Sequence, residues 1–186
     1  NVDVTFSVSE ADSGVTTEFA DNAQKVHSIT DDGNGVDAHS SFETVAGGKD
    51  KSATYALDFS DAVENVSFRV NDIDGDGVVT VRAFNGTEEV DVHLSGGDRL
   101  TLLDTDGDGV KDTADSEGGY KDDTSPKYSV LVDIAGPVTR LEILHAQDGH
   151  DKSGVNVTDI YFDAPVGGAF EAGNDTLIGD DGDDVI

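Results

Sequence analysis

Residues 104 to 115 read Asp-Thr-Asp-Gly-Asp-Gly-Val-Lys-Asp-Thr-Ala-Asp. Five carboxylates on so short a stretch repel one another unless a cation sits among them. The spacing is that of a twelve-residue calcium loop. Asp104, Asp106 and Asp108 take positions one, three and five, Gly109 the sharp turn at six, and Val110 offers a backbone carbonyl at seven. Asp112 and Asp115 fall at nine and twelve. A hard divalent ion takes oxygen ligands, so calcium is the expected cofactor.

The closing residue is Asp where a helix-flanked loop has the longer Glu, and Lys111 stands at position eight. Both features occur in extracellular aspartate-rich loops, and the stretch resembles thrombospondin type 3 and dockerin loops. A shorter relative runs from Asn71 to Gly77, where Asp72, Asp74 and Asp76 repeat the one-three-five spacing. Its twelfth position is Ala83, so a cation here needs a ligand from another loop. The alternative is a hairpin turn in which Asp and Gly supply positive φ.

A third acidic segment closes the chain. Gly173 to Gly182, Asp175 to Asp184 and Leu177 to Ile186 are each nine apart, the period of parallel β-roll repeats. This end resembles the opening of an RTX repeat array, with Asp180 in place of the second glycine. The resemblance implies calcium between successive turns, with Asp175 and Asp184 as candidate ligands, flanking RTX repeats in the same polypeptide, and a secreted or cell-surface bacterial protein exported by a type I system. The stretches Phe59–Asp74 and Gly154–Asp163 resemble jelly-roll modules found beside such arrays and among carbohydrate-binding modules. In calcium-holding families of that kind, acids near the first strand meet an acid at the last. That resemblance nominates Glu10, Asp12 and Asp163 as a further cation site.

Composition removes several classes. With 11 Lys+Arg against 40 Asp+Glu the formal charge is −29, the opposite sign to a nucleic-acid-binding surface. Cys, Met and Trp are absent, so neither disulfides nor thiolate metal sites hold the fold. No apolar run approaches the ~20 residues of a spanning helix, so no membrane insertion is expected. The chain opens Asn-Val-Asp-Val without an initiator Met or a signal pattern, which reads as a segment of something longer.

The elements that must position these residues are strands. Apolar residues recur with period two in Val2–Val8, Tyr55–Phe59, Asn65–Val70, Val78–Phe84, Glu89–Leu94, Arg99–Leu103, Tyr128–Ile134, Arg140–His145 and Val155–Phe162. Weaker strands are expected at Lys25–Ser28 and Ser41–Val45. About nine to eleven short strands predict an all-β, antiparallel, jelly-roll-like sandwich. The apolar phase shifts within Val155–Asp163, which predicts a bulge or a strand buried on both faces. The stretch from Asp104 to Lys127 lacks periodicity and reads as one long loop needing something to order it. Residues 1–163 form the expected sandwich, 164–170 a linker, and 171–186 the first repeats.

The function expected on these grounds is a non-catalytic, calcium-dependent module that binds a glycan or cell-surface polysaccharide. Without Trp as a stacking platform, Tyr120 and Tyr128, which bracket the acidic loop, are the candidate aromatics, with Arg82, Asp148 and His150 as polar partners. The competing reading is a structural or adhesin spacer that calcium stiffens. A halophile-type acidic surface without a specific metal is a third. An enzyme, such as the catalytic domain of a polysaccharide-active protein, comes last: the five histidines show no metal spacing, and no nucleophile elbow or phosphate loop is present.

Overall fold

Alternation of apolar and polar residues becomes strands wherever Gly/Asp turns do not interrupt it. The computed structural model describes residues 2–31, 35–39, 41–149 and 152–165. It contains thirteen strands: β1 (Val4–Ala11), β2 (Val15–Ala20), β3 (Ser41–Ala46), β4 (Lys51–Asn71), β5 (Gly77–Asn85), β6 (Glu88–Val90), β7 (His93–Gly96), β8 (Leu100–Leu103), β9 (Thr113–Ser116), β10 (Val130–Ile134), β11 (Val138–Gln147), β12 (Ser153–Thr158) and β13 (Tyr161–Asp163). A 3₁₀ turn, Pro126–Tyr128, precedes β10. No helix among the described residues is long and apolar enough to cross a membrane.

All pairings are antiparallel, and they build the expected β-sandwich. One sheet runs β1-β4-β11-β5-β9-β8, with β6 also on β5. The other runs β2-β3-β12-β4-β10-β7, with β13 also on β4. β4 belongs to both. Its first half pairs with β1 and β11 up to Phe59, the chain turns an exposed corner at Ser60 and Asp61, and its second half pairs with β10 and β12. Lys51 pairs with Gln147 and Gln147 with Gly77, one short loop beyond Asn71, so β4 starts and finishes at the same end of the sandwich.

Each strand buries its apolar face. On β5, Val79, Val81 and Ala83 point inward, and register sets Val81 beside Ile143 and Ile143 beside Tyr55. These meet Phe68, Val132 and Val157 of the other sheet in one core. Full burial of such side chains contributes about 1.5–3 kcal/mol each, which replaces what disulfides would supply.

Four expectations need correcting. Lys25–Ser28 is not a strand: it lies across the outer face of β4, where Arg69 Nε donates to His27 O (2.6 Å) and Asn71 Nδ2 to Lys25 O (3.1 Å). Val15–Ala20, not anticipated, forms β2 against β3. The supposed long loop contains β9, which inserts between β5 and β8. The phase shift in Val155–Asp163 is a break between two strands, β12 and β13, rather than one bulged strand.

Candidate functional site

Three places on the sandwich gather chemistry. The first is the loop after β8. Asp104 accepts the N–H groups of Gly107 (2.7 Å) and Gly109 (3.0 Å), Asp106 that of Asp108 (3.1 Å) and Asp108 that of Val110 (2.6 Å). Gly109 has φ +94°, which a side chain would resist, so the turn at position six forms as the spacing requires. One carboxylate oxygen from each of Asp104, Asp106 and Asp108 lies within 4.8 Å of the others, a grouping that could hold a metal ion. An exposed cavity of about 330 Å³ adjoins Asp106 and Asp108 and is bordered by Glu89 and Asp91.

The rest of the expected ligand set goes elsewhere. Asp112 is buried and turned inward, accepting from Thr105 N (3.0 Å), Thr105 Oγ1 (2.7 Å) and Thr113 Oγ1 (2.6 Å). Burial pushes its carboxyl up, but these donors together hold it below the usual range. Asp115 lies on β9 opposite Val78 and Thr101, because sheet pairing draws residues 113–116 away from the loop. Its pKa is raised by burial and then by Asp148, Glu117 and Asp76.

The second place is the β4–β5 loop, where one-three-five spacing does not produce convergence. Asp72 and Asp76 both adopt positive φ, and the turn sends their side chains apart. Asp76 packs against Gly149, where a Cβ would meet its Oδ2 at 1.9 Å. Asp72 and Asp74 face one another. Asp74 is 2 % exposed and accepts Lys121 N–H at 2.6 Å, whereas Asp72 Oδ1 is sealed from solvent with no hydrogen-bond partner. Burial, then the charges of Asp74 and Asp123, raise the Asp72 pKa to about 8. The positive φ expected of a turn is present at Asp72, Gly75 and Asp76, but the hairpin is not, because β11 lies between β4 and β5; the long loop docks on this turn through Gly75 N to Gly119 O (2.7 Å).

Glu10, Asp12 and Asp163 do not meet. Glu10 pairs with Thr54, and Asp12 accepts Ser52 N–H (3.0 Å) at the start of β4. Asp163 pairs with Glu64 beyond the corner, at the far end of the sandwich, and accepts from Asn65 Nδ2 (2.7 Å). The expected ligand-binding set is also dispersed. Tyr128 is buried, its Oη donating to Gly118 O (3.4 Å), so it is part of the fold and no platform. Tyr120 is 58 % exposed, lies over Gly75 and donates to Lys152 O (3.0 Å). Arg82 is on the outer face of the other sheet, forked onto Glu89 (2.6 and 2.8 Å) and 5.1 Å from the centroid of Phe84. Asp148 donates its N–H to Asp76 O (3.3 Å). His150, Asp175 and Asp184, with the nonapeptide repeats, lie outside the described residues.

The third place was not anticipated. Between the edge strands β1 and β2 the sandwich opens into a groove of about 300 Å³, walled by Phe6, Phe19, Phe42, Phe59 and Phe162 and rimmed by Ser41, Thr158 and Asp159. Phe6 meets Phe19 edge-on with centroids 5.7 Å apart, and Phe59 meets Phe162 at 5.2 Å. Phe19 is 79 % exposed. Its signal is a short alternation, Val15-x-Thr17-x-Phe19, with only two apolar members. On β13 the next residue, Asp163, borders a polar cavity of about 430 Å³ together with Thr30, Asp31, Ser67, His93 and Asp133. Thr30 N–H donates to Ser67 Oγ (3.0 Å), and Ser67 Oγ donates to Asp133 (2.9 Å).

No protein-family model matches the chain, and no curated protein is significantly similar in sequence. Among solved structures it is similar to the enzymatically active domain of tailspike protein 4 of bacteriophage CBA120, with TM-score 0.42 and 11 % identity over 88 % of this chain. The chain spans 19 % of that protein's length. It is also similar to the module TmCBM61, solved with β-1,4-galactotriose, with TM-score 0.36, 13 % identity and 86 % of each chain covered.

Proposed function

We propose that this chain is a non-catalytic β-sandwich that binds carbohydrate. The observation that carries the reading is the open groove with Phe19 at its mouth. An aromatic face exposed to this degree beside hydroxyl and carboxylate groups suits a pyranose, whose C–H face stacks while its hydroxyls hydrogen-bond at the rim. Calcium at Asp104, Asp106 and Asp108 belongs to the proposal as a stiffening element, as does the secreted context implied by the C-terminal repeats. The spacer reading is favoured by that same aspartate trio, since it needs a cation and no groove.

The polar cavity unites His93 with three aspartates, the arrangement an enzyme would require. Ser67 in that cavity donates a hydrogen bond to Asp133 and accepts one from the Thr30 amide, which ties Thr30 to β4 and β10. A glycan array probed with the wild-type chain and with Phe19→Ala tests the proposal. Binding to a defined glycan class that Phe19→Ala removes supports it, whereas an array blank with and without calcium would leave the spacer reading in possession.

A further inference from the structure

We infer that the sugar seated in the aromatic groove is a 6-deoxyhexose with its methyl group against the apolar side, an inference that rests on the carbohydrate-binding reading above. The groove has two unlike sides. On one, Val4 is set opposite Phe59 and Phe6 opposite Leu57, so the side chains that β1 and β4 bring to the lining are hydrocarbon alone. On the other, Ser41 is set opposite Thr158 and Asp159 follows, which gathers every polar side chain of the described lining at one place. Phe19 at the mouth, 79 % exposed, offers the face on which a pyranose stacks.

The side chains of the polar place receive hydrogen bonds and have none left to give. Thr158 Oγ1 accepts from Arg69 N (3.0 Å) and donates to Asp159 O (3.0 Å), and Ser41 Oγ donates to Asn156 Oδ1 (3.5 Å). Asp159 brings a carboxylate, which accepts only. No Lys, Arg, His, Asn or Gln among the described residues lines the groove. Ring hydroxyls donate into such a corner. A hydroxymethyl arm turned to the opposite side would bury its oxygen where no side chain donates or accepts. A hydroxyl so placed costs about tenfold in affinity, whereas a methyl in its position gains about fourfold. A 6-deoxyhexose carries that methyl and keeps its ring hydroxyls, so its two edges match the two sides.

The test is calorimetric titration in millimolar calcium with glycosides paired by configuration: methyl α-L-fucoside against methyl α-L-galactoside, and methyl α-L-rhamnoside against methyl α-L-mannoside. The groove is open to solvent, so only part of each effect is realised, and the 6-deoxy member of a pair is expected to bind about fivefold more tightly. Phe19→Ala should weaken that binding about tenfold. Leu57→Asn places an amide on the apolar side and should narrow the preference to about twofold or less. Val4→Asn, at an edge position 42 % exposed, is the second variant should Leu57→Asn fail to fold. Equal binding within each pair, lost in Phe19→Ala, overturns the 6-deoxyhexose and leaves the carbohydrate reading standing, as do array hits confined to glycans without such a sugar. A preference that persists in Phe19→Ala, or that neither Leu57→Asn nor Val4→Asn narrows, overturns the seat in the groove. No binding of any glycoside or arrayed glycan overturns the carbohydrate reading itself and this inference with it.

Discussion

Acid should unfold this protein partly through one buried imidazole. His145 is fully buried on β11, with Nε2 2.8 Å from Ser153 Oγ and Nδ1 3.3 Å from Thr44 Oγ1. Tyr55 Oη donates to Thr44 Oγ1 (2.5 Å) and lies 2.6 Å from Thr17 Oγ1. With Thr44 accepting that hydrogen bond, its own hydroxyl hydrogen is available to Nδ1, which fits the tautomer in which Nε2–H donates to Ser153. Protonation would put a second hydrogen on Nδ1 and reverse the chain of donors. Burial lowers the His145 pKa to about 4, from an unfolded value of 6.5. The unfolded state therefore binds more protons between these values: stability is fully present above pH 6.5 and is lost as pH falls toward 4. At pH 4.5 the loss attributable to this group is about 2 to 3 kcal/mol. For a chain of this size that lowers Tm by about 5–10 °C. Carboxylates titrate in the same range, so the assay is the difference between wild type and His145→Gln in urea denaturation from pH 4.5 to 8. The variant loses packing at every pH, yet its curve should be flatter by that amount. Parallel curves for the two proteins would refute the reasoning.

Three further outcomes are expected. Asp72 is an acid whose folded pKa lies above its unfolded value, so its penalty is absent below about pH 4 and grows as pH rises toward 8. Discounted for the solvent that still reaches the residue, Asp72→Asn in EDTA should stabilise the protein by about 2 kcal/mol at pH 8.5 and leave it unchanged at pH 4; destabilisation at pH 8.5 would contradict this. Tyr55→Phe removes the hydroxyl that links Thr17 to Thr44 and should cost about 1–2 kcal/mol, read as a lower urea midpoint with unchanged slope. Millimolar calcium should raise the Tm of the wild type but not of a variant with Asp104, Asp106 and Asp108 all changed to Asn, as followed by scanning calorimetry.

The sandwich was legible because its core obeys a period of two: on β5 and β11 the pattern marks Val79, Val81, Ala83, Leu141 and Ile143, which point inward, although the polar His145 and Gln147 continue the same buried face unmarked. β2 and β9 were not, for a physical reason. Thr17, Glu18, Thr113 and Asp115 lack apolar character, and these strands are held by backbone pairing with β3, β5 and β8. The compact half of the acidic loop followed from spacing, since Asp104, Asp106, Asp108 and Gly109 act within one turn. Asp112 and Asp115 did not follow, because sheet pairing, a long-range effect, decides where they point. The aromatic groove was least legible of all. Its five phenylalanines come from strands up to 156 positions apart, Phe6 and Phe162, and only the fold puts them on one wall.

A single backbone threaded through both layers, as β4 is, makes the layers mechanically inseparable. Neither can peel away without pulling on the other, because the two halves of one strand anchor them, and the link is covalent. Denaturation should therefore proceed as one event, with tyrosine fluorescence and far-ultraviolet circular dichroism reporting the same midpoint. The joint is also where a protease would strike with greatest consequence. Ser60 and Asp61 stand exposed at the bend, and a nick there would turn one cooperative unit into two fragments joined only by noncovalent contacts.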